Sequence, residues 1–152
     1  MASCAVFGHR NEFYYSGNEE KIYSIINDLV ENRGVTEFYN GYRGEFDEIC
    51  ADYVYWLKKH GFPEIKNILV LAYLRNNKFD KFVLPYLFDE SEYLLDKYVP
   101  PRAAIIETNK RLALKADYIL SGVDSECWKC GGAYIAVEYG RKHGKTIISI
   151  FS

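Results

Sequence analysis

The features of this sequence best suited to ligand binding are glycine-containing turns next to short apolar or helical segments. Gly8-His9-Arg10 follows one such segment, a turn at residues 41–47 follows a second, and Gly131-Gly132 precedes a helical pattern. Glycine lets a ligand approach the backbone closely. A helix that begins behind such a turn presents free N–H groups and the positive end of its dipole to an anion. These turns therefore predict a site for a phosphate or carboxylate group, to which His9 and Arg10 add donors and positive charge.

Acidic residues within the second turn have two open interpretations. Glu45 and Asp47 follow Gly41 and Gly44, and a carboxylate there could accept two hydrogen bonds from a diol such as ribose. They are equally typical of acidic residues in the first turn of a helix, where the helix dipole favours them. The sequence leaves both roles open.

Composition and charge limit the class of protein. The chain has 152 residues, enough for one domain, and its net charge is −2 without a block of basic residues. Stable nucleic-acid binding is not expected, since it needs a concentrated basic face. No apolar run reaches the roughly 20 residues of a membrane helix, and no signal core precedes the first strand. We therefore expect a cytoplasmic protein without membrane contact.

Cofactor and metal motifs are not evident in the sequence. The four cysteines are too scattered for a disulfide framework. The pair Cys127 and Cys130 forms a C-x-x-C without the second pair or nearby histidine that a zinc site needs. Neither a G-x-G-x-x-G fingerprint nor a P-loop is present. We expect no cofactor and no metal.

The periodicity of apolar residues predicts the elements that must position the glycine turns. Strands are predicted at residues 4–7, 36–40, 68–74, 117–122 and 146–151, and helices at residues 19–31, 46–59, 102–115 and 131–143, with a short helix within residues 89–98. This alternation predicts one α/β domain over residues 1–152, with a doubly wound, mostly parallel, five-stranded sheet and helices on both faces. In such a sheet, ligands bind beyond the carboxyl ends of the strands.

Four segments in order resemble the SLOG superfamily, Rossmann-like proteins that include relatives of DprA and the LOG enzymes. The segments are Phe7-Gly8-His9-Arg10, the G-x-x-G-x-x-D turn at residues 41–47, Asn109 with Ala116-Asp117-Tyr118-Ile119-Leu120, and Gly131-Gly132 with residues 137–148. The resemblance implies a nucleotide-type ligand at the strand ends and a homodimer. In the LOG branch it also implies hydrolysis of the N-glycosidic bond of nucleoside 5'-monophosphates. With the turns above, the residues predicted to bind the ligand are Gly8, His9, Arg10, Gly41, Arg43, Gly44, Glu45, Asp47, Asn109, Ser121, Gly122, Gly131, Gly132 and Ala133.

The chain departs from the LOG pattern at positions that matter for hydrolysis. Thr108 stands where the family has arginine, and Ala133 stands where a threonine follows the glycine pair. Of the two acidic positions in the LOG segment, only Glu138 remains. Glycoside hydrolysis uses carboxylates to stabilise the oxocarbenium-like state or to activate water. The candidate catalytic residues are therefore Glu138 and Asp47.

Three hypotheses follow from these observations. The first is a module that binds a nucleotide, as a sensor or by sequestering it. This hypothesis follows because the chain has the glycine turns of the LOG pattern but lacks several residues of its catalytic segment. The second is a LOG-like phosphoribohydrolase that uses Glu138 or Asp47. The third is a partner-binding protein whose interface is the aromatic-rich region of residues 79–98.

Overall fold

The computed structural model describes residues 2–9, 15–72, 84–124 and 131–151. Strands are β1 Ala2–Gly8, β2 Val35–Asn40, β3 Lys66–Leu71, β4 Glu90–Tyr93, β5 Tyr118–Gly122 and β6 Thr146–Ser149. Helices are α1 Glu19–Asn32, α2 Glu45–Lys59, α3 Leu84–Leu87, α4 Pro101–Lys115 and α5 Gly132–Lys142. None of these helices has both the length and the apolar character that a membrane crossing requires.

The six strands form one sheet in the order β4-β3-β2-β1-β5-β6, and each neighbouring pair is parallel. The chain moves outward from β1 to β4 and then crosses back to place β5 on the other side of β1. The strand order therefore reverses between β1 and β5, where Gly8 and Gly122 are paired in register at the carboxyl ends. An open α/β sheet binds ligands at such a point.

Alternating residues of the strands pack against helices on opposite faces of the sheet. Cys4 and Val6 of β1 face a cluster built with α1 and α2, and Ala5 and Phe7 face a cluster built with α4 and α5. Ile68 in the middle of β3 is fully buried. This confirms the predicted Rossmann-like architecture with helices on both faces.

The structure corrects the sequence prediction at the edge of the sheet. The described residues form six strands instead of five, and the short helix expected within residues 89–98 is wrong, because Glu90–Tyr93 forms β4. Its residues, Glu-Ser-Glu-Tyr, are partly or fully exposed, as suits a polar edge strand. The strand is held by its pairing with β3 and by the ion pair between Glu92 and Lys115 of α4.

Candidate functional site

A cavity of about 440 Å³ lies at the carboxyl ends of β1, β2 and β3, between the N-termini of α2 and α5 and one face of α4. We call it the strand-end cavity. Its lining consists of Val6, Phe7, Gly8, His9, Gly41, Arg43, Asp47, Val70, Ile105, Asn109, Leu112, Gly131, Gly132 and Ala133.

The loop between β2 and α2 is held by side-chain hydrogen bonds at both of its ends. Asn40 Oδ1 accepts the N–H of Tyr42 at 2.7 Å, and Asn40 Nδ2 donates to the carbonyl of Asp47 at 2.7 Å. Asp47 Oδ2 accepts the N–H of Arg43 at 3.0 Å. Asp47 is therefore an acidic residue in the first turn of α2 that closes the loop before it.

Arg43 reaches from this loop across the cavity to α4. Its Nη1 donates to Asn109 Oδ1 at 3.1 Å. The guanidinium folds over Gly41, where an added Cβ would lie 2.7 Å from Nη1. The Asn109 Nδ2 group lies 3.6 Å from the position that a Cβ at Gly132 would take. Arg43 thus spans the cavity to the Asn109 amide, which lies beside the N-terminus of α5.

The N-cap position of α5 requires glycine. Gly131 is the N-cap residue with φ of 95° and ψ of 167°, a conformation that is essentially restricted to glycine. Among the described residues, no side chain forms a cap hydrogen bond at this helix end. The turn therefore presents backbone N–H groups and the positive helix dipole to the cavity.

The end of β1 is fixed by Tyr15, a residue that the sequence analysis did not single out. The fully buried Tyr15 accepts the N–H of His9 at 2.6 Å and donates to the carbonyl of Gly122 at 2.7 Å. Its ring packs on Phe46 with centroids 5.0 Å apart. One phenol group therefore joins the carboxyl ends of β1 and β5 where the strand order reverses.

His9 is half-buried beside these strand ends. Burial lowers the pKa of its imidazole below the usual value of 6.5, while the Asp124 carboxylate partly opposes this shift. The neutral form is therefore favoured near pH 7. An anion bound in the cavity would raise the pKa again, because opposite charges favour the protonated ring.

The structure brings together nine of the predicted ligand-binding residues around the strand-end cavity. They are Gly8, His9, Gly41, Arg43, Asp47, Asn109, Gly131, Gly132 and Ala133. Their position is observed, and their role in binding stays a prediction.

Other predicted site residues do not line the cavity, for identifiable reasons. Gly122 lies against Phe46, whose ring an added Cβ would overlap, and Ser121 Oγ accepts the N–H of Val123. Gly44 is the N-cap residue of α2 and Glu45 its first helical residue.

Glu138, a candidate catalytic residue, is likewise not part of the cavity lining. It pairs with Arg141 at 3.4 Å on α5. Asp117 of the motif that resembles the SLOG superfamily lies just before β5, at the opposite end of the strands, where its Oδ2 accepts the N–H of Ser3.

Sequence predictions at three sites fall partly or wholly outside the described residues, as do residues 73 and 74 of the strand predicted at residues 68–74. Arg10, the C-x-x-C cysteines Cys127 and Cys130, and residues 79–83 of the aromatic-rich region are not described. In the described part of that region, Tyr86 and Tyr98 are exposed and Phe88 is buried. Within the described residues, no group of three or more His, Cys, Asp or Glu residues is placed to hold a metal ion.

No protein-family model matches the chain, and no curated protein matches it significantly. Solved structures share its fold, and two of them illustrate the match. DNA processing protein A (DprA) from Streptococcus pneumoniae matches with a TM-score of 0.67 and 16% identity over 98% of this chain and 50% of DprA. The protein TM1055 matches with a TM-score of 0.57 and 18% identity over 97% of this chain and 72% of TM1055. The chain thus spans about half the length of DprA. At these identities the similarity shows a Rossmann-like fold.

Proposed function

We propose that this protein binds a nucleotide or a nucleotide-derived small molecule in the strand-end cavity, as a sensor or by sequestering the ligand. The observation that carries the proposal is that the cavity lining combines a polar part with an apolar part. Backbone turns with Arg43, His9 and Asn109 line part of it, and Val70, Ile105 and Leu112 contribute apolar surface.

The polar groups match a phosphate. The N-terminus of α5 offers backbone N–H groups, and Arg43 offers a planar guanidinium that donates to the neutral amide of Asn109. Arginine forms bidentate, charge-assisted hydrogen bonds with phosphate.

The apolar surface matches a base or another flat ring. Ile105 and Leu112 of α4 and Val70 at the end of β3 supply aliphatic side chains. Ligand sites typically combine such apolar walls with a few polar groups that fix orientation. The name of DprA refers to DNA processing, but a cavity of about 440 Å³ in a chain of net charge −2 favours a ligand of nucleotide size over a DNA strand.

The hydrolase alternative receives no specific support from the described residues. The Asp47 carboxylate accepts the N–H of Arg43, and Glu138 pairs with Arg141. If the protein is a phosphoribohydrolase, incubation with AMP releases free adenine, and Glu138→Gln abolishes the release. Binding without release of the base is what we expect.

Thermal denaturation with a panel of purine nucleotides, cyclic nucleotides and ADP-ribose tests the proposal. A ligand at 100 times its dissociation constant stabilises the folded state by about 2.7 kcal/mol. For the compound with the largest shift, calorimetry should show that Arg43→Gln weakens binding, whereas Arg33→Gln, at an exposed residue paired with Asp28, has no effect. Absence of any shift or heat across the panel would contradict the proposal.

The homodimer expected from the sequence stays a prediction. Size-exclusion chromatography with light scattering, without and with the bound nucleotide, measures it directly. A monomeric mass in both conditions would remove it.

A further inference from the structure

Tyr42 has an unusual backbone conformation next to the cavity. Among the described residues it is the one non-glycine residue with a positive φ, 52°. Bulky side chains rarely adopt this left-handed region. Because Arg43 follows directly, the conformation at Tyr42 sets the direction in which the guanidinium leaves the loop.

Among the contacts of Tyr42, a backbone hydrogen bond and a ring contact help to hold this conformation. Its N–H donates to Asn40 Oδ1 at 2.7 Å. Its ring meets Phe88 edge-on, with centroids 5.5 Å apart and planes at 89°, a favourable aromatic geometry. Phe88 does not line the strand-end cavity, so the second contact ties the loop to a separate part of the fold.

Phe88 is itself firmly anchored. It is only 5% exposed, and the residues around it are hydrogen-bonded to Asn67 of β3. Asn67 Nδ2 donates to the carbonyls of Ala51 and Leu87, each at 3.1 Å. The Asp89 N–H donates to the Asn67 carbonyl at 2.8 Å. The ring that Tyr42 contacts is therefore fixed to α2, α3 and β3 together.

We propose that Tyr42 is a positioning residue, whose contact with Phe88 keeps the guanidinium of Arg43 directed across the strand-end cavity toward Asn109. Tyr42 acts through Arg43, and the segment that carries Phe88 thereby sets the affinity of the site. The effect on ligand affinity rests on the proposed function, whereas the effect on the geometry of Arg43 does not.

Modification of arginine by phenylglyoxal, located by peptide mass spectrometry, tests the geometry without any ligand. Tyr42→Asn keeps a residue that tolerates the left-handed region but removes the ring, so Arg43 loses its bond to Asn109. We expect Arg43 to react roughly threefold to tenfold faster, as loss of one hydrogen bond implies. Tyr42→Phe keeps the ring and should react as the wild type does, and Arg33 is the internal reference.

Phe88→Leu removes the same contact from the other side and should give the same increase in a protein that still melts cooperatively. An unchanged rate at Arg43 in both Tyr42→Asn and Phe88→Leu would overturn the inference. A similar increase at Arg33 would do so as well, because it would indicate general loosening of the fold.

Calorimetry with AMP as the probe tests the consequence for binding. Tyr42→Asn should weaken AMP binding about tenfold and flatten its salt dependence, because a charged contact is lost. In an Arg43→Gln background the same change should have no further effect. Additive losses would contradict the role of Tyr42 as a positioning residue. If wild-type protein binds no nucleotide while Arg43 reactivity still changes, the proposed function fails and the positioning inference stands.

Discussion

Replacement of Gly41 by alanine should separate ligand binding from folding. Gly41 has no positive φ, so alanine fits the backbone. The added Cβ would lie 2.7 Å from Arg43 Nη1 and 3.0 Å from Cζ. Because these atoms belong to the end of a flexible side chain, the guanidinium moves aside and its bond to Asn109 Oδ1 breaks.

The two consequences for stability nearly cancel. Loss of one hydrogen bond at a partly buried site lowers the free energy of unfolding by about 0.5–1.5 kcal/mol. Replacement of glycine by alanine at a compatible position raises it by roughly 0.4–1 kcal/mol, because the unfolded chain loses freedom. We therefore expect the melting temperature to change by at most a few degrees.

The effect on ligand binding should be much larger. A hydrogen bond to a charged group contributes about 1.5–3 kcal/mol, so a displaced Arg43 weakens nucleotide binding roughly tenfold to a hundredfold. Calorimetry on Gly41→Ala, with Gly41→Ala/Arg43→Gln as the control, measures this difference. The double variant should bind no more weakly than Arg43→Gln alone. Wild-type affinity in Gly41→Ala would refute the assignment of Arg43 as a ligand contact.

Three further predictions concern the strand ends. Gly122→Ala places a Cβ against the Phe46 ring and should lower the free energy of unfolding by about 1–3 kcal/mol, measured by urea denaturation; an unchanged midpoint would contradict this packing. Tyr15→Phe removes the hydroxyl that joins His9 to Gly122 and should lower stability by about 1–3 kcal/mol, with Tyr15→Leu as a more damaging comparison. Because burial lowers the pKa of His9, despite the opposing effect of Asp124, the unfolded chain binds its proton more readily. The stability of the unliganded protein should therefore fall as the pH drops below about 6.5, and AMP affinity should rise over the same range. His9→Gln should lessen both trends. Equal trends in the wild type and in His9→Gln would contradict the role of His9.

The regular part of the fold could be predicted from the sequence because its apolar periods are clear. The helix expected at residues 46–59 is α2, Glu45–Lys59, and the apolar run that begins at Ile68 lies in β3. β4 could not be predicted in this way, because Glu90–Tyr93 has no apolar period and is held by its neighbours. α3 has only four residues, too few for a helical period.

The glycine turns of the site could also be located from sequence, since parallel strands place their carboxyl ends at one edge. The sequence did not predict the side chains that hold these turns in place through hydrogen bonds and packing. Tyr15 gives no sequence signal that separates it from the other tyrosines of the chain. Phe46 could be recognised from sequence only as part of the apolar period of a helix. Its contact with Gly122 could not be predicted, because it depends on where β5 lies. Asn40 had a usable signal, since asparagine before a glycine turn commonly bonds to nearby backbone groups.

Amide chemical shifts in an NMR titration with the nucleotide selected from the panel test the central claim most directly. We predict that the amides of Gly8, Gly41, Gly131 and Gly132 move together with one dissociation constant, while those of Gly34 and Gly61, which do not line the cavity, stay in place. Shifts confined to other parts of the chain, with the four cavity glycines unmoved by a nucleotide that binds, would contradict the account.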